Sequence, residues 1–335
     1  MKMSDVNNNT FNYTHSFVGR SMPRRNRLAH FIRALATTYI IALEWPAIRG
    51  RRRSIRGRAT TFLNDISNST HGRGLEVVNH LICRLRQKET ALYDAERVTR
   101  RPNPEGYDQA SVGSIVAKLN SHGCAVVRSF VDRTAAESIA EAVRAMPGQC
   151  DLNKHRYSDM TEWMNDKSAE PRFHSSGEYL AENLAIVSLA RSTFVQDVAR
   201  DYLGAAPLLA SLQSWTTRPP VKQTADTLDA AAMAYHCDSD FFGFLKFFVL
   251  LTEVGPTNGP FTFIERSHRG TRHVAGRMPD SEVVGPYDVE FHGTGHPGDL
   301  VIVDTKGWHK ASPPVEGYRT MLQFVYSTSL FGSPT

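Results

Sequence analysis

Two residues in the stretch AYHCDSD (234–240) are spaced for metal chemistry. His236 and Asp238 are separated by one residue, and in an extended strand side chains alternate between faces. An imidazole and a carboxylate at this spacing point the same way and can meet one ion, while Cys237 points to the other face. By itself the triplet reads equally as a solvated strand end. A third ligand must come from elsewhere, and the later histidines are His268, His273, His292, His296 and His309. His309 stands out because it follows GDLVIVDTKGW, which is a tight turn, an apolar strand and a short loop. Ten residues further on, Arg319 opens the apolar strand RTMLQFVYS. A charge entering such a strand is costly unless it is paired, and a guanidinium is suited to gripping a carboxylate with two parallel hydrogen bonds.

Two imidazoles and one carboxylate on one side of a divalent ion leave three positions open, the arrangement of non-haem Fe(II) oxygenases. With His309 as the third ligand, His236 and Asp238 would complete such a set, and Arg319 offers a carboxylate clamp on a neighbouring segment.

Bringing these residues together needs a closed β scaffold. From about residue 205 short β-branched or aromatic runs dominate: LLASLQSWT, AYHCD, FLKFFVLLTEV, PFTFIE, YDVEFH, DLVIVD and RTMLQFVYS. Turns such as GPTNGP and HPGD separate them. The spacing predicts a double-sheet jelly roll, cupin-like, with flanking helices. Before it, QASVGSIVAKLNSHG and DRTAAESIAEAVRAMP read as helices around the strand CAVVRSF, with Asp132 as N-cap of the second. Residues 75–98 read as one helix, and RRPNPEGYD (100–108) as a linker. The expected organisation is a polar, basic tail at 1–27, a helical extension and linker at 28–107, and the jelly-roll domain at 108–335.

Composition narrows the function classes. The chain has 335 residues, 22% of them charged, and no apolar run of the roughly 20 residues needed to span a bilayer. LAHFIRALATTYIIALEW (28–45) carries Arg33 and Glu44, and reads as a docked helix rather than a membrane span. The four cysteines form no CxxC pair, which fits a reducing cytoplasm. The net charge of +5 owes much to RGRRRSIRGR (49–58). That tract gives no reason to expect specific nucleic-acid binding.

The chain resembles the phytanoyl-CoA dioxygenase family of Fe(II)/2-oxoglutarate-dependent oxygenases. The resemblance spans about 108–331 and rests on HCD (236–238), LLTEVGPTNGPFTFIERSHRG (250–270), and HPGDLVIVDTKGWHKASPP (296–314) followed by Arg319. It implies that His236, Asp238 and His309 bind Fe(II) and that Arg319 holds the distal carboxylate of 2-oxoglutarate. It further implies that O2 is consumed while the keto acid becomes succinate, with hydroxylation of a small molecule. Asp238 separates this chain from related halogenases, which lack the carboxylate. The chain departs from the family where Glu265-Arg266-Ser267-His268 replaces a common Pro-Gly-Ser-His.

Within that resemblance Gln213, Lys246 and Ser312 are further co-substrate candidates. The alternatives are a satisfied sheet amide for Gln213, a lysine snorkelling to water, and a turn role for Ser312 before Pro313. Trp308 is expected to pack over the site, His268 to be structural, and His292 and His296 to be solvated. Asp240 is a candidate to line the substrate site or back the ligands. Residues 150–180 and 266–297 are read as long pocket-shaping loops. The substrate expected is a polar or anionic small molecule, with specialised metabolism as its setting. Two other readings stay open: a cupin-like metal-dependent isomerase or hydrolase, which needs no Arg319, and a binding protein using the arginine-rich arm.

Overall fold

The computed structural model describes residues 55–70, 73–99, 109–150, 155–220, 232–269, 277–285 and 288–331. The tail at 1–27, the apolar segment 28–45, the arginine tract up to residue 54, the linker 100–108 and His273 lie outside the described residues.

The chain enters through three helices, α1 (Ile55–Thr70), α2 (Arg73–Leu85) and α3 (Gln87–Thr99). The single helix expected over 75–98 is thus divided at Arg86. The Arg86 side chain reaches across to the carbonyls of Ala206 and Thr328 at 2.8 and 3.0 Å. Next come α4 (Gln109–His122), β1 (Cys124–Val127) and α5 (Arg133–Arg144). Asp132 caps α5 as its sequence suggests, its carboxylate accepting from the Ala135 amide at 2.9 Å.

Residues 148–203 form β2 (Gly148–Cys150), β3 (Arg156–Tyr157), α6 (Met160–Asn165), β4 (Arg172–Ser175), α7 (Gly177–Glu182), α8 (Leu184–Ala190) and α9 (Thr193–Leu203). The described part of the stretch expected as a long loop at 150–180 therefore carries two strands, a helix and the start of a second. Its interspersed aromatics are the reason: Tyr157, Trp163 and Phe173 bury together with Met160. The Arg218 guanidinium lies 4.5 Å from the Trp163 ring centroid and donates to the carbonyls of Trp163 and Ala169.

The remaining elements are β5 (Leu208–Thr217), β6 (Phe244–Leu250), β7 (Phe261–Ile264), α10 (Asp280–Val283), β8 (Glu290–Gly293), β9 (Leu300–Val303), β10 (His309–Ala311) and β11 (Arg319–Ser327). Among the described residues the strands form an eight-stranded sheet, ordered β1-β9-β6-β11-β5-β4-β2-β3, and a three-stranded sheet, ordered β10-β7-β8. Neighbouring strands are antiparallel throughout. The two sheets face each other as a jelly roll, with Trp215, Phe248, Leu250, Val301, Val303 and Met321 of the large sheet packed near Phe261 and Phe263 of the small one.

The other face of the large sheet lies under helices. Leu245, Phe247 and Val249 of β6 join Ile302, Phe324 and residues of α4, α5 and α9 in the main core. Burial on both faces explains why β6 reads as continuous apolar sequence, with Lys246 as its single charge. The turn between β6 and β7 depends on Gly259, at φ +72°, where a Cβ would sit 2.4 Å from the Ser312 carbonyl oxygen.

Candidate metal centre

His236 and His309 meet because they stand directly opposite each other. The His236 amide donates to the His309 carbonyl at 2.9 Å, and the His309 amide donates back at 3.0 Å. This two-way bridge lays the chain at 235–236 beside β10, on the edge of the small sheet, and sets the two rings with centroids 4.2 Å apart. Asp238, two residues on, donates its amide to the Thr305 carbonyl at 2.9 Å. Its carboxylate lies 3.6 Å from His236 Nε2 and 3.3 Å from His309 Nε2. One ligand atom from each of the three residues falls within 4.8 Å of the others, the only such group among the described residues.

The tautomers follow from the backbone. His236 Nδ1 is 3.0 Å from the Ala234 carbonyl, and His309 Nδ1 is 2.9 Å from the Gly307 carbonyl. A carbonyl only accepts, so each Nδ1 carries the proton and each Nε2 presents its lone pair to the shared space. Burial, then the neighbouring His309 ring, lowers the His236 pKa to about 3, keeping it a neutral donor.

Asp238 is held as a carboxylate. Burial by itself would raise its pKa, but the Lys246 ammonium above all outweighs that and holds it well below the usual range. Lys246 Nζ lies 2.7 Å from Asp238 and 2.8 Å from Asp240. Burial opposes the charge on Lys246, and the two carboxylates more than restore it, raising its pKa. The chemistry of this donor set, two imidazole nitrogens and one anionic oxygen, suits a divalent ion such as Fe(II).

A cavity of about 570 Å³ opens on this group. Its walls include alternate residues of β5 and β11: Ser211, Gln213 and Trp215 on one, Arg319, Met321, Gln323 and Val325 on the other. Arg319 is 1% exposed, yet its Nε and Nη1 have no hydrogen-bond partner among the described residues. Burial, and then the nearby Arg172, lower its pKa to about 9. A guanidinium in that position calls for an anion that none of the described residues provides.

The other candidates divide. Gln213 lines the cavity, accepting from Gln323 Nε2 at 3.3 Å. Lys246 lines it too, with its ammonium engaged by Asp238 and Asp240 rather than open to a co-substrate. Ser312 does not line it: its hydroxyl is 2.8 Å from Thr262 Oγ1, on the small sheet's outer face. Trp308 is likewise outside the lining, its amide donating to Ser267 Oγ. His268 packs against Gly123 and Phe263, as a structural residue would. His292 contacts Thr262, and His296 pairs with Glu253. Asp240 and Phe241 do face the cavity, as do Arg172, His174 and Arg277. Strand alternation could have found Gln323 from Arg319, and His174 from Arg172. Arg277, beside the bridge between Tyr235 and Met278, carries no local signal.

No curated protein matches the sequence. Among solved structures, the non-haem α-ketoglutarate-dependent epimerase SnoN from nogalamycin biosynthesis, in complex with Fe3+, α-ketoglutarate and nogalamycin RO, is similar with a TM-score of 0.46. It shares 18% identity over 65% of this chain and 84% of its own. HygX from Streptomyces hygroscopicus, with nickel and 2-oxoglutarate bound, gives a TM-score of 0.47 and 12% identity over 64% of this chain and 86% of its own. EctD from S. alaskensis, with 2-oxoglutarate and 5-hydroxyectoine, gives 0.47 and 18% over 68% and 78%. The family model for phytanoyl-CoA dioxygenase (PhyH) matches residues 119–315, more than half of the sequence, and the chain belongs to that family.

Proposed function

We propose that this protein is a non-haem Fe(II)/2-oxoglutarate-dependent dioxygenase that hydroxylates a C–H bond of a small molecule. The observation that carries the reading is Arg319, a buried cation whose Nε and Nη1 have no partner among the described residues and which lines the same cavity as His236, Asp238 and His309. A metal-dependent isomerase or hydrolase would need the three ligands but has no use for that guanidinium.

In this reading His236 and His309 hold iron through Nε2 and Asp238 through its carboxylate, and Arg319 receives the distal carboxylate of the keto acid. With both bound, iron, 2-oxoglutarate and O2 supply the oxidation: the keto acid leaves as succinate and CO2, one oxygen atom entering succinate and the other the product. The protein's own part is orientation and dryness. The Nδ1 bonds to Ala234 and Gly307 fix both rings. Lys246 fixes the Asp238 carboxylate. Trp215, Phe248 and Phe261 line the cavity with apolar surface that keeps bulk water away.

Arg172, His174 and Arg277 in the lining favour a polar or anionic substrate. All four cysteines are free, in keeping with a reducing cytoplasm, and specialised metabolism is the proposed setting. Among the described residues no helix is long and apolar enough to cross a membrane.

The test is spectroscopic. Fe(II) and 2-oxoglutarate, mixed anaerobically with the protein, are expected to give a visible charge-transfer band. His236→Ala is expected to remove it, and admitting O2 with a suitable substrate is expected to yield succinate. Absence of the band in the unaltered protein, together with no succinate across a panel of substrates, overturns the reading.

A further inference from the structure

The family match begins at residue 119, so α1 and α2 lie before it. They nevertheless touch the metal centre's supporting segment. Residues 239–243 connect Asp238 to β6, which carries Lys246, and they belong to no strand or helix. One side of this short segment faces the cavity, through Asp240 and Phe241. The other side is gripped by the helices at three successive points.

At the first, the Ser239 hydroxyl, next to Asp238, donates to Asn64 Oδ1 on α1. At the second, Phe242 buries in a cluster with Leu63 and Ile66 of α1 and Leu75 of α2. Phe331 closes this cluster, stacked on Phe242 at 5.5 Å and edge-on to Phe62 at 5.8 Å. At the third, Gly243 comes so close to α2 that a Cβ would sit 2.3 Å from Asn79 Oδ1. Asn79 accepts from Thr328 Oγ1 at 2.6 Å, and the Thr328 amide donates to the Gly243 carbonyl at 3.0 Å.

We propose that α1 and α2 are a positioning element of the metal centre, with Asn64 and Asn79 as positioning residues that hold Asp238 through the 239–243 segment. The inference rests on the metal reading above. A segment without a ladder of its own has many conformations to lose, and an oriented carboxylate needs them already lost. The helices remove that freedom from outside the cavity. The same helical unit is also docked at a second place, far along the chain from this segment: Arg97 of α3 pairs with Asp201 at 2.7 Å, and Arg200 of α9 pairs with Asp94. Those contacts secure the unit without touching residues 239–243, and so they provide a control.

The experiment titrates the full-length protein with Co(II), free of oxygen, and follows visible absorption and thermal midpoint. Asn64→Ala and Asn79→Ala are expected to weaken Co(II) binding by about tenfold. Asn64→Asp, which keeps the acceptor, is expected to restore wild-type affinity. Arg97→Ala is expected to lower the thermal midpoint while leaving Co(II) affinity unchanged. The inference is overturned if both Asn64→Ala and Asn79→Ala titrate as wild type, or if Arg97→Ala weakens Co(II) as much as they do. Failure of the metal reading looks different: His236→Ala would then bind Co(II) like the unaltered protein.

Discussion

On the Lys246 side of the cavity the buried charges meet opposite ones; on the Arg319 side, among the described residues, one does not. Lys246 sits opposite Val325, near the end of β11, and bridges Asp238 and Asp240. Arg319 opens the same strand, with Nε and Nη1 unpartnered among the described residues and another cation, Arg172, nearby. The first region is complete before anything binds. The second is an electrostatic debt that a carboxylate ligand would settle. Desolvated charge is tolerated in a fold when it is matched internally, and left unmatched where a ligand is to do the matching.

This contrast can be broken most sharply at Arg319. Arg319→Met is expected to raise the 2-oxoglutarate dissociation constant by about 100- to 1,000-fold, the worth of two charge-assisted hydrogen bonds. The same change is expected to leave the ligand-free protein as stable or more so, because an unmatched buried charge gives way to an apolar side chain. Calorimetric titration and thermal unfolding read the two halves. A large loss of stability in the ligand-free variant would mean that Arg319 is matched after all.

Lys246→Met is expected to do the reverse. Removing the ammonium leaves Asp238 and Asp240 facing each other, and the ligand-free protein is expected to lose about 3 kcal/mol in denaturant unfolding. An unchanged midpoint would show that the bridge is not formed in solution.

The third expectation concerns pH. His236 is neutral when folded because its pKa is lowered from 6.5 to about 3. Below about pH 6.5 the unfolded chain takes a proton that the folded chain refuses, so metal-free stability falls as pH falls from there toward 3. The contribution reaches about 1.4 kcal/mol per pH unit at most. His236→Ala is expected to flatten that part of the profile, measured as thermal midpoint against pH; an identical slope in both proteins argues against a neutral, buried imidazole.

The smallest effect is expected between the two regions. Gln323→Leu removes the donor to Gln213 and is expected to cost about 1 kcal/mol in unfolding free energy. A cost several times larger would place the amide pair among the elements that hold β5 to β11.

Much of this was legible from residue order. Six of the seven strand runs after residue 205 correspond to β5 to β9 and β11 with small shifts at their ends, because alternation and Gly/Pro turns are local signals; AYHCD does not become a strand, and only Tyr235 and His236 make single bridges, to Met278 and His309. His236, Asp238, His309 and Arg319 could be singled out for the same reason: charged or chelating residues stand out against apolar strands. What misled was polarity without periodicity. Residues 150–180 looked like loop, yet Trp163 and Phe173 draw them into strands and a helix at the sheet's edge. Ser312 looked placed for a co-substrate, but the pleat of β10 turns that end of the chain toward Thr262. Lys246 was visible as an oddity in β6, whereas its double pairing was not.

The sequence alone determined the ligand types and the spacing of His236 and Asp238, since these depend only on neighbours along the chain. Tertiary structure decided which histidine faces His236, that Lys246 is matched and Arg319, among the described residues, is not, and that α1 and α2 back the Asp238 segment. Those outcomes depend on antiparallel register and on packing between residues far apart in sequence, such as Asn64 and Ser239, for which no local pattern exists.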